Sequence, residues 1–285
     1  KERCLTAEYM QKASRILRFG PWWQEWYIKK ASPEYIDRDK LVEDYYKKVI
    51  FLDIDGTLTE PGSNVPPHSA ILAVREAQKK GNYVFLCTGR NYDMLSPLLP
   101  FGFDGVVASC GGYIQFENQV IYNCPMTADQ KDRAMKVLKE NGVFRTVECM
   151  DGSYTDEGLK EFLASHGEQG NNSELLRWRR QLEHSLNIRH MAEYKGQPVY
   201  KIVIMAGNAA QLQEPEQVLG AEFHLCIQEP DRYGFINGEV INRKFDKGKG
   251  VRKVCEFLQI PLEDTVGFGD SMNDKEMLEA VERVK

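Results

Sequence analysis

The sequence predicts an α/β protein: a parallel sheet covered on both faces, an α+β domain inserted into it, and a helical region ahead of it. Three observations carry this. From residue 48, short apolar runs alternate with amphipathic segments, the pattern of βαβ units. Between about residues 126 and 236 the texture changes to mixed helices and strands with a polar stretch, GEQGNNS. Near residue 239 the first pattern resumes. The domains expected are therefore an N-terminal helical extension over 1–47, a core in two parts (48–125 and 237–285), and an insertion over 126–236.

Taken in order, residues 1–47 place apolar residues three and four apart, with breaks at Gly20-Pro21 and Ser32-Pro33, as helices do. Trp22, Trp23 and Trp26 cluster there. They are expected to pack on the rest of the protein, with a homodimer contact as the alternative. VIFLD (49–53) then reads as a buried strand and HSAILAVREAQKKG as a helix ending at Gly81. NYVFLCT is a second strand, NYDMLSPLLPFG a helix and FDGVVAS a third strand. GGYIQFENQVIYNC reads as a hairpin turning at Glu117-Asn118. In the insertion, TADQKDRAMKVLKENG, TDEGLKEFLASHG and SELLRWRRQLEHSL are helices, and VFRTVECM, VYKIVIMAG and EFHLCIQ are strands. After it come GEVINRKF, the helix KGKGVRKVCEFLQI, the strand TVGFGD and the helix NDKEMLEAVERVK.

The 285 residues carry a formal charge of -5, which gives no support to nucleic-acid binding, since that needs a basic face. Seven cysteines, an odd number without a CxxC pair, argue against a disulfide framework and a zinc site and fit a reducing compartment. No apolar run approaches the ~18–20 residues of a membrane span, and the first residues have no signal-peptide core. A soluble, cytoplasmic protein without nucleic-acid or membrane partners is expected.

Four strand or helix ends carry candidate chemistry. At DIDGT, Asp53 and Asp55 place two carboxylates two residues apart at the end of an apolar strand, where function collects in parallel sheets. Two such carboxylates repel unless a cation or hydrogen-bond donors hold them. Gly56 permits close backbone approach and Thr57 adds a hydroxyl. The spacing does not fit a calcium loop, which needs its Gly at position six; an ordinary Asp-Gly turn remains the alternative. At LCTGR, Thr88, Gly89 and Arg90 could receive a phosphate, or form a simple strand-to-helix turn. At FDKGKGV, Lys247 and Lys249 sit at a helix start, where basic residues suit the dipole poorly unless an anion is there. A solvated face is the other reading, and a P-loop is excluded because Gly250 follows Lys249. At VGFGDSMND, Asp270, Asn273 and Asp274 supply oxygen ligands suited to a hard cation, with helix capping as the competing reading.

Taken together, the order DxDGT, TGR, a helix-start Lys and GDSMND resembles the haloacid dehalogenase superfamily of phosphohydrolases. VVASCGGYI, GFGDSMNDKEML and the place of the insertion are similar to its Cof-type branch, subfamily IIB, with a C2B cap; the likeness spans about residues 48–274. The resemblance implies a Rossmann-like core and a magnesium-dependent phosphatase acting on a small phosphorylated metabolite, most plausibly a sugar phosphate. By that resemblance Asp53 is the nucleophile, forming an aspartyl-phosphate, and Asp55 the general acid and base. Mg²⁺ is expected on Asp53, the Asp55 carbonyl and Asp270, supported by Asn273 or Asp274. Thr88 and Lys247 would hold the transferring phosphoryl group together with Gly56, Gly89 and Arg90. By the same resemblance Lys247 is preferred to Lys249.

Two departures stand out: Cys110 replaces the Asn usual in the SCGG segment, and the chain stops eleven residues after Asp274. The N-terminal extension is expected to cover what a longer C-terminus would. A phosphomannomutase-like phosphotransferase and a catalytically silent scaffold are the alternatives. Tyr154, Arg189 and His190 are the polar candidates for substrate contact in the cap.

Overall fold

The structure, a computed structural model, describes residues 47–61, 63–159, 188–230 and 235–284. The expected helices of the N-terminal extension with Trp22, Trp23 and Trp26, and those of TDEGLKEFLASHG beyond residue 159 and SELLRWRRQLEHSL, lie outside the described residues.

The first sheet has the strand order β13-β12-β1-β2-β3-β4-β5. It comprises β1 (Val49–Leu52), β2 (Tyr83–Cys87), β3 (Gly105–Ala108), β4 (Tyr113–Phe116), β5 (Gln119–Asn123), β12 (Thr265–Phe268) and β13 (Arg283–Val284). The run from β13 to β3 is parallel, and β4 and β5 add an antiparallel hairpin. Strand periodicity sends alternate side chains to opposite faces. Phe51, Phe85 and Val107 pack with Val251 and Val254 of helix α4 (Lys247–Leu258) and Met277 of α5 (Lys275–Ala280). Leu52, Val84, Leu86 and Val106 pack with Val74 of α1 (His68–Lys79) and with Leu95 and Leu98. Both faces are covered, which is why these strands read as continuous apolar runs.

The second sheet, order β10-β11-β9-β6-β7-β8, comprises β6 (Phe144–Cys149), β7 (Gly152–Thr155), β8 (Ile188–His190), β9 (Val199–Ala206), β10 (Phe223–Ile227) and β11 (Ile236–Asn242). One face buries Val147, Ile202, Ile204 and Val240 against helices α2 (Ala128–Glu140) and α3 (Ala210–Leu219). Helix α2 starts at a capping box in which Thr127 accepts from the Gln130 N–H and the Gln130 side chain accepts from the Thr127 N–H. β11 pairs with β9 and β10, so the chain returns to the first sheet after residue 242, where the sequence reading put the return at 237.

Two other segments differ from expectation. NYDMLSPLLPFG forms two single 3₁₀ turns, Asp93–Leu95 and Leu99–Phe101, because Pro97 and Pro100 each lack the N–H a continuous helix needs. The last expected helix stops at Ala280, and Arg283–Val284 instead joins β12 in parallel. Among the described residues no helix is long and apolar enough to cross a membrane.

Candidate active site

The carboxyl ends of β1, β2 and β12 and the start of α4 converge. Strand β1 continues into Asp53, whose N–H donates to the Phe268 carbonyl at 2.9 Å and so locks it beside β12. The chain then folds into a tight turn: the Leu58 N–H reaches the Asp53 carbonyl and the Thr59 N–H the Ile54 carbonyl. Gly56 has φ +95°, and a Cβ there would fall inside the Asp270 carboxylate. Only glycine meets both conditions. Thr57 Oγ1 donates to Asp270 Oδ1 at 2.9 Å, tying the DIDGT turn to the loop after β12.

Lys247 is the hub. Asp246 caps α4 by accepting from the Lys249 N–H at 2.6 Å, which sets Lys247 in the first turn. Its Nζ donates to Asp53 Oδ1 at 2.7 Å, Asp274 Oδ1 at 2.5 Å and Asn273 Oδ1 at 3.2 Å. The anion expected at this helix start is thus a pair of protein carboxylates. Lys249 turns outward to Asp246 and the Arg243 carbonyl. Burial pushes the Asp53 carboxyl up to about 6, against the pull of Lys247; the charges of Asp274 and Asp55 add to the rise. Burial alone would pull Lys247 down, but Asp53 and Asp274 hold it above lysine's ordinary value.

Carboxylate oxygens of Asp53, Asp270 and Asp274 lie within 4.8 Å of one another. Asp270 is exposed, whereas Asp274 is sealed and already accepts from Lys247 and from the N–H groups of Asp270 and Ser271. An oxygen-only set of this kind suits a hard divalent cation. Asp53 and Asp270 are the more available ligands, and Asp274 shapes the loop that presents them. Asn273 Oδ1 also accepts from Ser271 Oγ.

Thr88 is buried at the end of β2, its N–H on the Val107 carbonyl and its Oγ1 accepting from the Arg90 N–H. Arg90 points at Asp55 rather than at an open position. Its Nε and Nη2 bond both Asp55 oxygens at 2.8 and 2.7 Å, Nη1 bonds Asn64 Oδ1 at 2.6 Å, and Nη2 also reaches the Ser63 carbonyl. This fork fixes the second carboxylate of DIDGT. Ser63 and Asn64, which complete it, carry no sequence signal beyond being polar loop residues.

Ser109, Cys110 and Gly111 run consecutively through positive φ (49°, 56° and 99°) beside this loop. The Cys110 N–H donates to the Thr88 carbonyl and the Ser109 N–H to the Arg90 carbonyl. Left-handed geometry favours Asn or Gly, so the Asn usual at this place in relatives has a backbone reason. Burial pushes the Cys110 thiol up to about 12. Of the polar candidates in the insertion, Tyr154 is sealed within its own domain, where its hydroxyl meets Asp151, Arg189 and Gln197. His190 is exposed.

Comparison with known proteins gives the chain a family. The family model described as haloacid dehalogenase-like hydrolase matches residues 50–284. Phosphatase YwpJ of Bacillus subtilis is 30% identical, over 82% of this chain and 86% of its own. The HMP-PP phosphatase of Yersinia pestis is 26% identical, over 81% and 80%. Among solved structures, the HAD subclass IIB sugar phosphatase BT4131 superposes with a TM-score of 0.63 at 22% identity, covering 84% of this chain and 86% of that one. The chain belongs to the haloacid dehalogenase-like hydrolases.

Proposed function

We propose that the protein is a Mg²⁺-dependent phosphatase that hydrolyses a small phosphorylated metabolite of the sugar phosphate class through an aspartyl-phosphate on Asp53. The observation that carries this is one carboxylate, Asp53, buried at a strand end, held by Lys247 and grouped with Asp270 and Asp274. Asp53 and Asp270, with the Asp55 carbonyl, would hold the cation, supported by Asn273 or Asp274. Bound there, the ion supplies charge neutralisation for an anion attacking an anion.

Asp53 attacks phosphorus with a carboxylate oxygen, and the bond from phosphorus to the leaving oxygen breaks. Asp55 gives that oxygen its proton and then takes one from the water that cleaves the acyl phosphate. The Arg90 fork orients the Asp55 carboxylate for both transfers. The Thr88 hydroxyl and Lys247 bind the phosphoryl oxygens, Lys247 also steadying Asp53. The Gly56 and Gly89 backbone lines the same site, and Arg90 acts there through Asp55. The inserted domain is the cap that selects the leaving group and excludes water. The cytoplasm is the compartment that a phosphorylated metabolite and the cysteine usage both favour.

The test is phosphate release from a panel of phosphosugars, nucleotides and p-nitrophenyl phosphate, with Mg²⁺, with chelator and with Asp53→Asn. Mg²⁺-dependent release abolished by the substitution is the expected result. Release that persists in chelator would sink the metal assignment, and interconversion of phosphosugars without free phosphate would move the chemistry to phosphoryl transfer.

A further inference from the structure

A second buried charge cluster joins the inserted domain to the site. Lys201, at the middle of β9, is fully buried, and its Nζ pairs with Glu239 Oε1 at 2.5 Å and Glu148 Oε2 at 3.4 Å. Register explains the triad: Glu148 on β6 stands directly opposite Lys201, and Glu239 on β11 stands diagonally across. The same Nζ crosses between domains and donates to the Gly89 carbonyl at 2.9 Å. Two residues on, the Asn91 side-chain N–H donates to Ser153 Oγ of β7 at 3.1 Å, a fully buried contact. The inserted domain therefore grips the residues on both sides of Arg90. Next to Lys201, Tyr200 fixes the strand by packing in the first sheet's core and donating to Asn123 Oδ1 at 2.6 Å.

We infer that Lys201 is a positioning residue: through Gly89, and with Ser153 holding Asn91, it sets the Arg90 fork and thereby the carboxylate of Asp55. An ammonium buried with two carboxylates keeps its geometry only if all three groups stay paired, so the grip is stiff. The inserted domain then does more than wall the pocket; it aligns the group that moves the proton. This rests on the phosphatase reading above, in which Asp55 protonates the leaving oxygen.

Leaving groups separate alignment from mere folding. An alkyl phosphate needs its leaving oxygen protonated, whereas p-nitrophenyl phosphate expels a stabilised anion and needs little help. The experiment compares kcat and KM for both substrates in wild type, Lys201→Met with Glu148→Gln (which limits uncompensated charge), Lys201→Arg and Ser153→Ala. Misalignment predicts a kcat/KM loss of about 10²-fold on the alkyl phosphate and a much smaller one on p-nitrophenyl phosphate, because kcat/KM covers the steps up to leaving-group departure and excludes the water attack that both substrates share. Lys201→Arg should recover part of the loss, and Ser153→Ala should show the same selectivity more weakly. Equal losses of kcat/KM on both substrates, or none, would overturn the inference. If the double variant does not fold, Ser153→Ala and Lys201→Arg decide by the same selectivity. Wild type inactive on both substrates would bring down the phosphatase reading and this inference with it, whereas active wild type with unselective variants would overturn this inference alone.

Discussion

Lys247 and Lys201 are both sealed from solvent, and each lies between two carboxylates, Asp53 and Asp274 for the first, Glu148 and Glu239 for the second. Burying such a trio is costly, and neither cluster is explained by stability, since a buried ion pair rarely outperforms apolar packing. What differs is where the third contact goes. Lys247 reaches Asn273 of the loop after β12, on the strand-end face that holds the acids. Lys201 reaches a backbone carbonyl in the TGR turn. On the proposed mechanism the same chemical unit would serve reaction in one place and placement in the other, and the two can be told apart by what their loss does.

Asp53→Asn is expected to have the largest effect, lowering kcat on the order of 10⁴-fold or more, because no other group replaces the nucleophile. Steady-state turnover against a background of uncatalysed hydrolysis measures it. Next come the lysines. Removing either leaves buried carboxylates facing each other, so Lys247→Met and Lys201→Met should each destabilise by about 3–5 kcal/mol, read by denaturant unfolding. Their stability losses should be similar while their activities diverge. Lys247→Met should nearly silence every substrate, whereas the Lys201 change should largely spare kcat/KM for activated aryl phosphates. Similar activity losses across all substrates would erase the distinction between the clusters.

Proton occupancy sharpens the contrast. In the proposed mechanism Asp53 attacks as the carboxylate, and burial pushes its carboxyl up to about 6, so it gains a proton as pH falls through that value. kcat/KM should then fall about tenfold per pH unit on the acid side. A bound cation opposes protonation, so the limb lies at or below pH 6, and a limb above pH 7 would contradict the assignment. Smallest is the effect of Cys110→Asn, which suits the left-handed backbone and should leave Tm unchanged or raise it by about 1–3 °C; a large drop would mean that the sulfur's packing beside Gly89 and Lys201 matters more than the backbone.

The contrast between the lysines also marks how much was legible in the sequence. Lys247 was singled out because FDKGKGV marks a helix start and the family resemblance preferred it to Lys249; the Asp246 cap that sets it appears only in the structure. Asp53, Asp55, Thr88 and Asp270 were singled out as candidates at or just after the end of an apolar strand. Lys201 sits inside VYKIVIM, where strand alternation puts a charge on one face without saying what covers that face. Its partners lie 53 residues before and 38 after it in the chain, and only sheet register brings them together. Arg90 was found, but its partner was not: a guanidinium in TGR suits a phosphate as well as a carboxylate, and only the fold of the DIDGT turn brings Asp55 to it. The return to the first sheet was misplaced for a similar reason, since GEVIN has the apolar character of a core strand and its pairing within the second sheet is non-local.

The most direct measurement is a rapid acid quench of the enzyme during turnover of p-nitrophenyl phosphate with Mg²⁺, followed by peptide mass analysis. One phosphoryl group on the peptide containing Asp53, absent from Asp53→Asn, is the predicted result. Undiminished turnover by Asp53→Asn, or a phosphoryl group trapped on a different residue, would contradict it.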